Sequence, residues 1–418
     1  HHALLKQLEF YKADHGCVVV MEVATGAIKA MANLGRTSNG NYYEKLNYAV
    51  GESHEPGSTF KTMAFLAALE AGKIDTTTVV DTKQGSAYFY GREITDSKRG
   101  GYGEISAGKA LEVSSNIGLA RLLDDGFSEN PNAFINYLKQ WRLHQPLEIP
   151  IKGEGSPVIP EPGHKLWSRN ALPSMAYGYN LRLTPLQVLT FYNAIANQGA
   201  MVAPRFMEEI RAQGTSIHKV DTNLRVTQIA KPAHIKIMQD LLKNVVERGT
   251  GKGLQSPYFT MAGKTGTAQT EYWMPDWKQN RRYVSSFVGY FPAENPTYSC
   301  IVVVHKPQWE TGYYGADVAG PVFSRIAQKI NLQKPETVIV NNLVTTDPIQ
   351  ENSFQTLNLN ATYSKIPNLK GMEAMDAIAL LETIGLKVKL VGNGKVQKQS
   401  ITPGKTIQEG ALITLYLG

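Results

Sequence analysis

The chain has 418 residues, 42% hydrophobic and 19% charged, the balance of a globular protein long enough for one large domain and a small one. Its net charge of +7 is spread without a Lys/Arg run longer than two, which leaves a solvated surface with some pull on anionic partners and gives no nucleic-acid motif. No apolar run approaches bilayer-spanning length, and the nine histidines lack metal-ligand spacing, so neither a membrane span nor a metal is expected.

In chain order, Ala3 to Tyr11 reads as the tail of an amphipathic helix. Gly16 to Val23 and Ala27 to Met31, joined by the turn Ala24-Thr25-Gly26, read as a hairpin. Asn33 to Tyr48 is polar and reads as loop. Glu55-Pro56-Gly57 then breaks the chain ahead of Ser58-Thr59-Phe60-Lys61, a Ser-x-x-Lys at the mouth of a helix from Thr59 to Leu69 that is apolar on nearly every face. On a helix i and i+3 share a face, so the Lys61 amine is expected within reach of the Ser58 hydroxyl. A serine needs such a base to become a nucleophile, and a lysine serves only when its pKa is lowered towards neutral.

Asp75 to Tyr102 reads as an irregular region bordering a cleft. Helices are expected over Ile105 to Val113 and Asn116 to Leu123, with Ser114-Ser115-Asn116 at the turn between them. Ala133 to Trp141 reads as a helix capped by Asn132, and Gln145 to Asn170 as loop. Thr184-Pro185 has the form of an N-cap followed by proline at the first helical position. Pro232 to Arg248 is helical up to Gly249. Tyr258 to Ala268, Val284 to Tyr290 and Tyr298 to His305 read as strands, and Gly320 to Ile330 as a closing helix. Strands at both ends with helices between give an α+β class. Gly263-Lys264-Thr265 imitates the end of a phosphate-binding loop, but Tyr258 stands where a glycine is required and the segment reads as strand.

Three short motifs therefore recur in one order: Ser58-x-x-Lys61, Ser114-x-Asn116 and Lys264-Thr265-Gly266-Thr267. With the Leu183-Thr184-Pro185-Leu186-Gln187 segment, the chain resembles the transpeptidase domain of a class B penicillin-binding protein, closest to the septal type, over roughly residues 16 to 330. Residues 331–365 read as a linker. Ile366 to Gly418, with a helix over Met372 to Ile384 and strands over Leu386 to Val391, Lys395 to Ile401 and Ala411 to Leu417, resembles a single small αβ PASTA domain.

The resemblance implies a penicillin-binding/β-lactamase-like fold, with an antiparallel sheet flanked by helices. It implies acyl transfer without a cofactor. Ser58 would attack the carbonyl between the terminal D-alanines of a peptidoglycan stem peptide, with Lys61 as base. Ser114 would bridge Lys61 to the leaving nitrogen and shuttle a proton, and Asn116 would hold the substrate's peptide group. Lys264 would supply a cation that also lowers the Lys61 pKa. Thr265 and Thr267, alternate residues of one strand, would dock the terminal carboxylate, and Gly266 would leave room for close approach of the substrate or of the Ser58 helix. The N–H groups of Ser58 and Thr267 would hold the oxyanion. β-Lactams would acylate Ser58. A glycan polymerase and division proteins are the partners implied, through an N-terminal part that the chain lacks. The chain is accordingly read as a trimmed piece of a parent anchored in the bacterial cytoplasmic membrane, with this portion on its outer side. A D,D-carboxypeptidase, or a β-lactamase or β-lactam sensor on the same fold, is the alternative. A lactamase would need a further base, for which Glu154 and Glu161 are the nearby carboxylates. A non-catalytic wall-binding protein would not need Ser58 and Lys264 together. Cys17 and Cys300 are expected as free, buried thiols; the resemblance implies a sheet whose first and last strands are antiparallel neighbours, so that two strand starts lie at opposite ends, too far apart for a disulfide.

Overall fold

A computed structural model describes residues 1–212, 215–332, 364–392 and 394–418. The chain divides into two compact units, His1–Glu336 and Thr337–Gly418. The first begins with helix α1 (His2–Phe10) and the hairpin β1 (His15–Glu22) and β2 (Ile28–Arg36). The segment expected as loop after Met31 instead continues as strand to Arg36 and pairs with the short β3 (Tyr42–Tyr43). Asn33, although polar, is buried there, because its side-chain oxygen accepts the Ala49 N–H at 2.9 Å.

Three later strands, β4 (Ala262–Thr270), β5 (Arg282–Phe291) and β6 (Tyr298–His305), complete a six-stranded sheet. Its order is β4-β5-β6-β1-β2-β3, antiparallel throughout. β4 starts at Ala262 rather than Tyr258, which is 80% exposed and lies in the loop before it. The central strands are apolar at successive positions because both sheet faces are covered. Val19, Met21 and Val303 face a helical core, while Val18, Val20 and Val302 face a second core with Leu4 and Leu8 of α1 and Phe323 of a C-terminal helix, Gly320–Leu332. Cys17 and Cys300 are both free and buried. They belong to opposite faces and stand three register positions apart, since Cys17 pairs with Val303 and Cys300 with Val20.

In the chain between β3 and β4 come the helices that carry the first two motifs, while the third lies on β4. A 3-10 turn, Gly57–Phe60, feeds α2 (Lys61–Glu70), whose residues Lys61 to Leu69 are all buried. Short strands within residues 79–106 form the rim expected as irregular. Then follow α3 (Ala107–Glu112) and α4 (Asn116–Phe127), separated by Val113, Ser114 and Ser115. The next helix runs over Pro131–Gln140; Asn130, not Asn132, is at its N-cap, because Pro131 takes the first helical position and pulls the boundary forward. Helix α5 (Pro185–Ala196) has the expected Thr184 cap, extended to a full capping box with Gln187. Helix α6 runs over Pro232–Arg248 and stops at Gly249. No helix among the described residues is long and apolar enough to cross a membrane.

The second unit packs a helix, α7 (Ala374–Thr383), on a sheet of β7 (Lys387–Val391), β8 (Val396–Gln399) and β9 (Leu412–Leu417) in the order β7-β9-β8. It has its own core, including Ile366, Leu380, Leu381, Ile413 and Leu415. Most of the segment expected as linker, residues 333–363, lies outside the described residues.

Candidate active site

The Ser58 turn is held by backbone on two sides. The Gly57 N–H donates to the Gly178 carbonyl at 3.1 Å, and a Cβ on Gly178 would lie 2.0 Å from the Gly57 carbonyl oxygen. On the other side a Cβ on Gly266 would lie 2.9 Å from Thr59 Cγ2. The room left by Gly266 is therefore taken by the Ser58 segment, one of the two roles the sequence suggested. From beneath, Tyr192 of α5 donates its hydroxyl to the Thr59 carbonyl at 2.8 Å. Gly57 itself has φ +56°, a conformation that suits glycine.

Ser58, Ser114, Asn116, Thr265 and Thr267 line one cleft of about 510 Å³, together with Asp96, Thr250 and Tyr283. Lys61 and Lys264 lie beneath it, both 0% exposed. Lys61 Nζ donates to Ser114 O at 2.6 Å and Asn116 Oδ1 at 2.7 Å, and is 3.1 Å from Ser114 Oγ. Lys264 Nζ donates to the same Ser114 Oγ at 2.8 Å and to Thr265 O at 3.1 Å. The expected direct reach from Lys61 to Ser58 is thus not a hydrogen bond here. The amine is satisfied instead by Ser114 and Asn116.

Burial pushes the Lys61 amine down to about 7, against the pull of Asp96. Burial also drives Lys264 well below the ordinary lysine value, helped by the charge of Lys61. Lys264 is expected only to help lower Lys61; burial is the largest cause of the Lys61 shift, and the repulsion between the two amines is mutual. The two amines share Ser114 Oγ, so charging one opposes charging the other.

Asn116 Nδ2 donates to Thr95 O at 2.8 Å, which leaves its second N–H for a ligand. Thr267 Oγ1 accepts the Gly315 N–H at 2.9 Å, which leaves its O–H to donate. Thr265 Oγ1 and Thr250 Oγ1 lie 2.7 Å apart, so one O–H joins them and the other is available.

Asp96 and Thr250 escaped the sequence reading. Asp96 accepts from the Asn116 and Ile117 N–H groups at 2.5 and 3.1 Å and from Ser115 Oγ at 2.8 Å, capping α4 from across the rim. No motif spacing marks it. Glu154 and Glu161 do not line the cleft: Glu154 accepts backbone N–H groups of Leu147 and Glu148, and Glu161 pairs with Lys139 at 2.7 Å.

Among the described residues, one group has ligand atoms within 4.8 Å of one another, His15, Glu52 and His305. Its two imidazoles are stacked at 4.2 Å and 15°, so their in-plane lone pairs run parallel and do not converge on one ion. Glu52 instead accepts from His15 Nε2 at 2.6 Å.

The description "Penicillin binding protein transpeptidase domain" fits residues 16–328, and "PASTA domain" fits residues 364–418. Stage V sporulation protein D of Bacillus subtilis is 27% identical over 417 residues, which cover 97% of this chain and 61% of that protein. Peptidoglycan D,D-transpeptidase FtsI of Escherichia coli is 28% identical over 324 residues, 76% of this chain and 51% of that protein. The chain thus spans about half to three fifths of the length of these relatives. The transpeptidase domain of Burkholderia pseudomallei penicillin-binding protein 3 superposes with a TM-score of 0.67 at 26% identity, over 79% of this chain and 92% of that one. The chain belongs to the class B penicillin-binding proteins, with a transpeptidase domain followed by a PASTA domain.

Proposed function

We propose that the chain is a serine D,D-transpeptidase that cross-links peptidoglycan stem peptides through an acyl-enzyme on Ser58. The observation that carries this reading is the convergence of Lys61, Lys264, Ser114 and Asn116 into one hydrogen-bonded set beside Ser58. Ser58 Oγ attacks the carbonyl between two terminal D-alanines, and its proton passes to neutral Lys61, directly or through Ser114. Ser114 then delivers a proton to the leaving D-alanine nitrogen, its oxygen steadied by the Lys264 N–H. The free O–H groups at Thr267 and at the Thr250/Thr265 pair dock the carboxylate, and Asn116 holds the peptide group. The first-turn N–H at Ser58 and the N–H of Thr267 on the edge strand hold the oxyanion. An amine from a second stem takes the acyl group.

The relatives named for D,D-transpeptidases support a role in wall synthesis during division. A membrane-anchored parent facing outward, a glycan polymerase and division proteins as partners belong to the same reading. Neither carboxylate proposed as a deacylating base for the lactamase alternative lines the cleft, and Asp96, which does, is taken up by Ser115, Asn116 and Ile117. Peptide mapping after incubation with labelled penicillin is expected to find one adduct, on Ser58, persisting for hours after the free drug is removed, and none on Ser58→Ala. An adduct elsewhere, or turnover within seconds, overturns the reading.

A further inference from the structure

Two chain segments that reach the cleft are tied together behind it. Glu112 is the last residue of α3, two before Ser114; Arg248 is the last of α6, two before Thr250. The Glu112 side chain is 2% exposed. It accepts a two-pronged bond from Arg248, through Nε at 3.1 Å and Nη2 at 2.7 Å, and a further bond from Lys109 Nζ at 3.2 Å. The main-chain oxygen of Glu112 also accepts the Thr250 N–H at 3.2 Å. Gly249 passes so close that a Cβ on it would lie 2.3 Å from that oxygen.

A carboxylate taken out of water is costly unless it is fully paired, and an apolar residue would hold two helices together without that cost. What the ion pair adds is direction, since a planar guanidinium meets a carboxylate in one fixed geometry. Both segments it fixes end in cleft hydroxyls. Ser114 has φ +58°, a left-handed conformation that persists in a serine only where its surroundings impose it. Its Oγ accepts from Lys264, while Thr250 Oγ1 meets Thr265 Oγ1. Lys264 and Thr265 are adjacent on β4, so both contacts fall on one strand.

We infer that Glu112 and Arg248 are positioning residues for acylation: their clamp places Ser114 against Lys264 and Thr250 against Thr265. This rests on Ser58 being the nucleophile. The test is the kinetics of acylation of the full chain by a chromogenic β-lactam, resolved into the binding constant and the first-order acylation rate across pH. Arg248 is 63% exposed, so Arg248→Ala removes no core volume. It is expected to lower the acylation efficiency by about tenfold or more and to shift the acidic limb of the profile, as a misplaced catalytic array does. Arg248→Lys, which keeps the charge but not the fork, should fall between, and carries the same test should Arg248→Ala not fold. Glu112→Gln, which keeps the shape, should weaken the first-order rate more than binding, because it loosens Ser114 first. Lys139→Ala, which breaks a pair away from the cleft, should leave both constants unchanged. A clamp that only holds helices together would lower Tm in these variants while the rate and pH limb stayed within about twofold of the parent chain, and that result overturns the inference. Failure of the nucleophile reading looks different: the parent chain itself then shows no Ser58 adduct.

Discussion

At the residue scale the proposed mechanism turns on the protonation of Lys61. A lysine is useless as a base while it is an ammonium ion, and burial brings its pKa to about 7. The neutral form is the deprotonated one, so acylation by penicillin should rise with pH through about 7 and level off above. It should fall by about tenfold per pH unit well below that point. Lys61→Arg keeps the positive charge at every accessible pH and should lose about 10²–10⁴-fold in acylation rate. Stopped-flow acylation between pH 5 and 9 measures both, and a flat profile would exclude Lys61 as the base. The eight residues singled out in the primary structure stand out because each belongs to a spacing that chemistry demands, and the fold gathers them in and beneath one cleft. Asp96 and Thr250 do not stand out, since a lone Asp in an irregular stretch and a Thr just past a helix look like thousands of others. Their parts depend on contacts across 20 residues of chain in one case and 15 in the other.

Individual elements are legible in the sequence where one period rules and less so where local chemistry competes. Helix α6 came out residue for residue, because seven buried side chains follow its 3.6 period and proline and glycine bound it. The continuation of β2 past Met31 was missed because Asn33 looks like loop until its partner Ala49 is known. Strand β4 shows how far an element's sequence is set by what leans on it. Lys264, Gly266 and Ala268 alternate on one side: the lysine reaches under the cleft, and the other two are small because the Ser58 turn packs on them. A methyl group on Gly266 would meet Ser286 Oγ at 2.2 Å and Thr59 Cγ2 at 2.9 Å. The serine can rotate, but Thr59 is β-branched and its hydroxyl is bound to the Pro56 carbonyl at 2.8 Å. Gly266→Ala should therefore cost about 1–3 kcal/mol by overpacking and shift the turn that carries Ser58. Denaturant unfolding together with the acylation rate should show both losses. An unchanged midpoint with full activity would mean that the turn and the strand do not constrain one another.

At the scale of the whole molecule, every residue given a role in the cleft comes from the first unit, between Ser58 and Asp317. The sheet explains why so long a stretch is needed. β1 and β2 come from one end of the unit and β4 to β6 from the other, so no cleft exists until the chain returns to pair β6 with β1. That long-range pairing was legible only through the family resemblance, since nothing local selects the strand order. The second unit closes a core of its own from Ile366, Leu369, Ala377, Leu380, Leu381, Leu386, Val396, Ile413 and Leu415. At about 50 residues such a core is near the lower limit for independent folding. A separate core implies separate unfolding, and the absence of motif residues beyond the first unit implies separate chemistry. A chain ending at Leu332, where the C-terminal helix of the first unit ends, should then react with penicillin at a rate within about twofold of the full chain. Its calorimetric trace should keep the main transition and lose only heat belonging to the small unit. A truncated protein that keeps the main transition but loses its reaction with penicillin would show that the second unit takes part in acylation, and the division of labour proposed between the two units would fall.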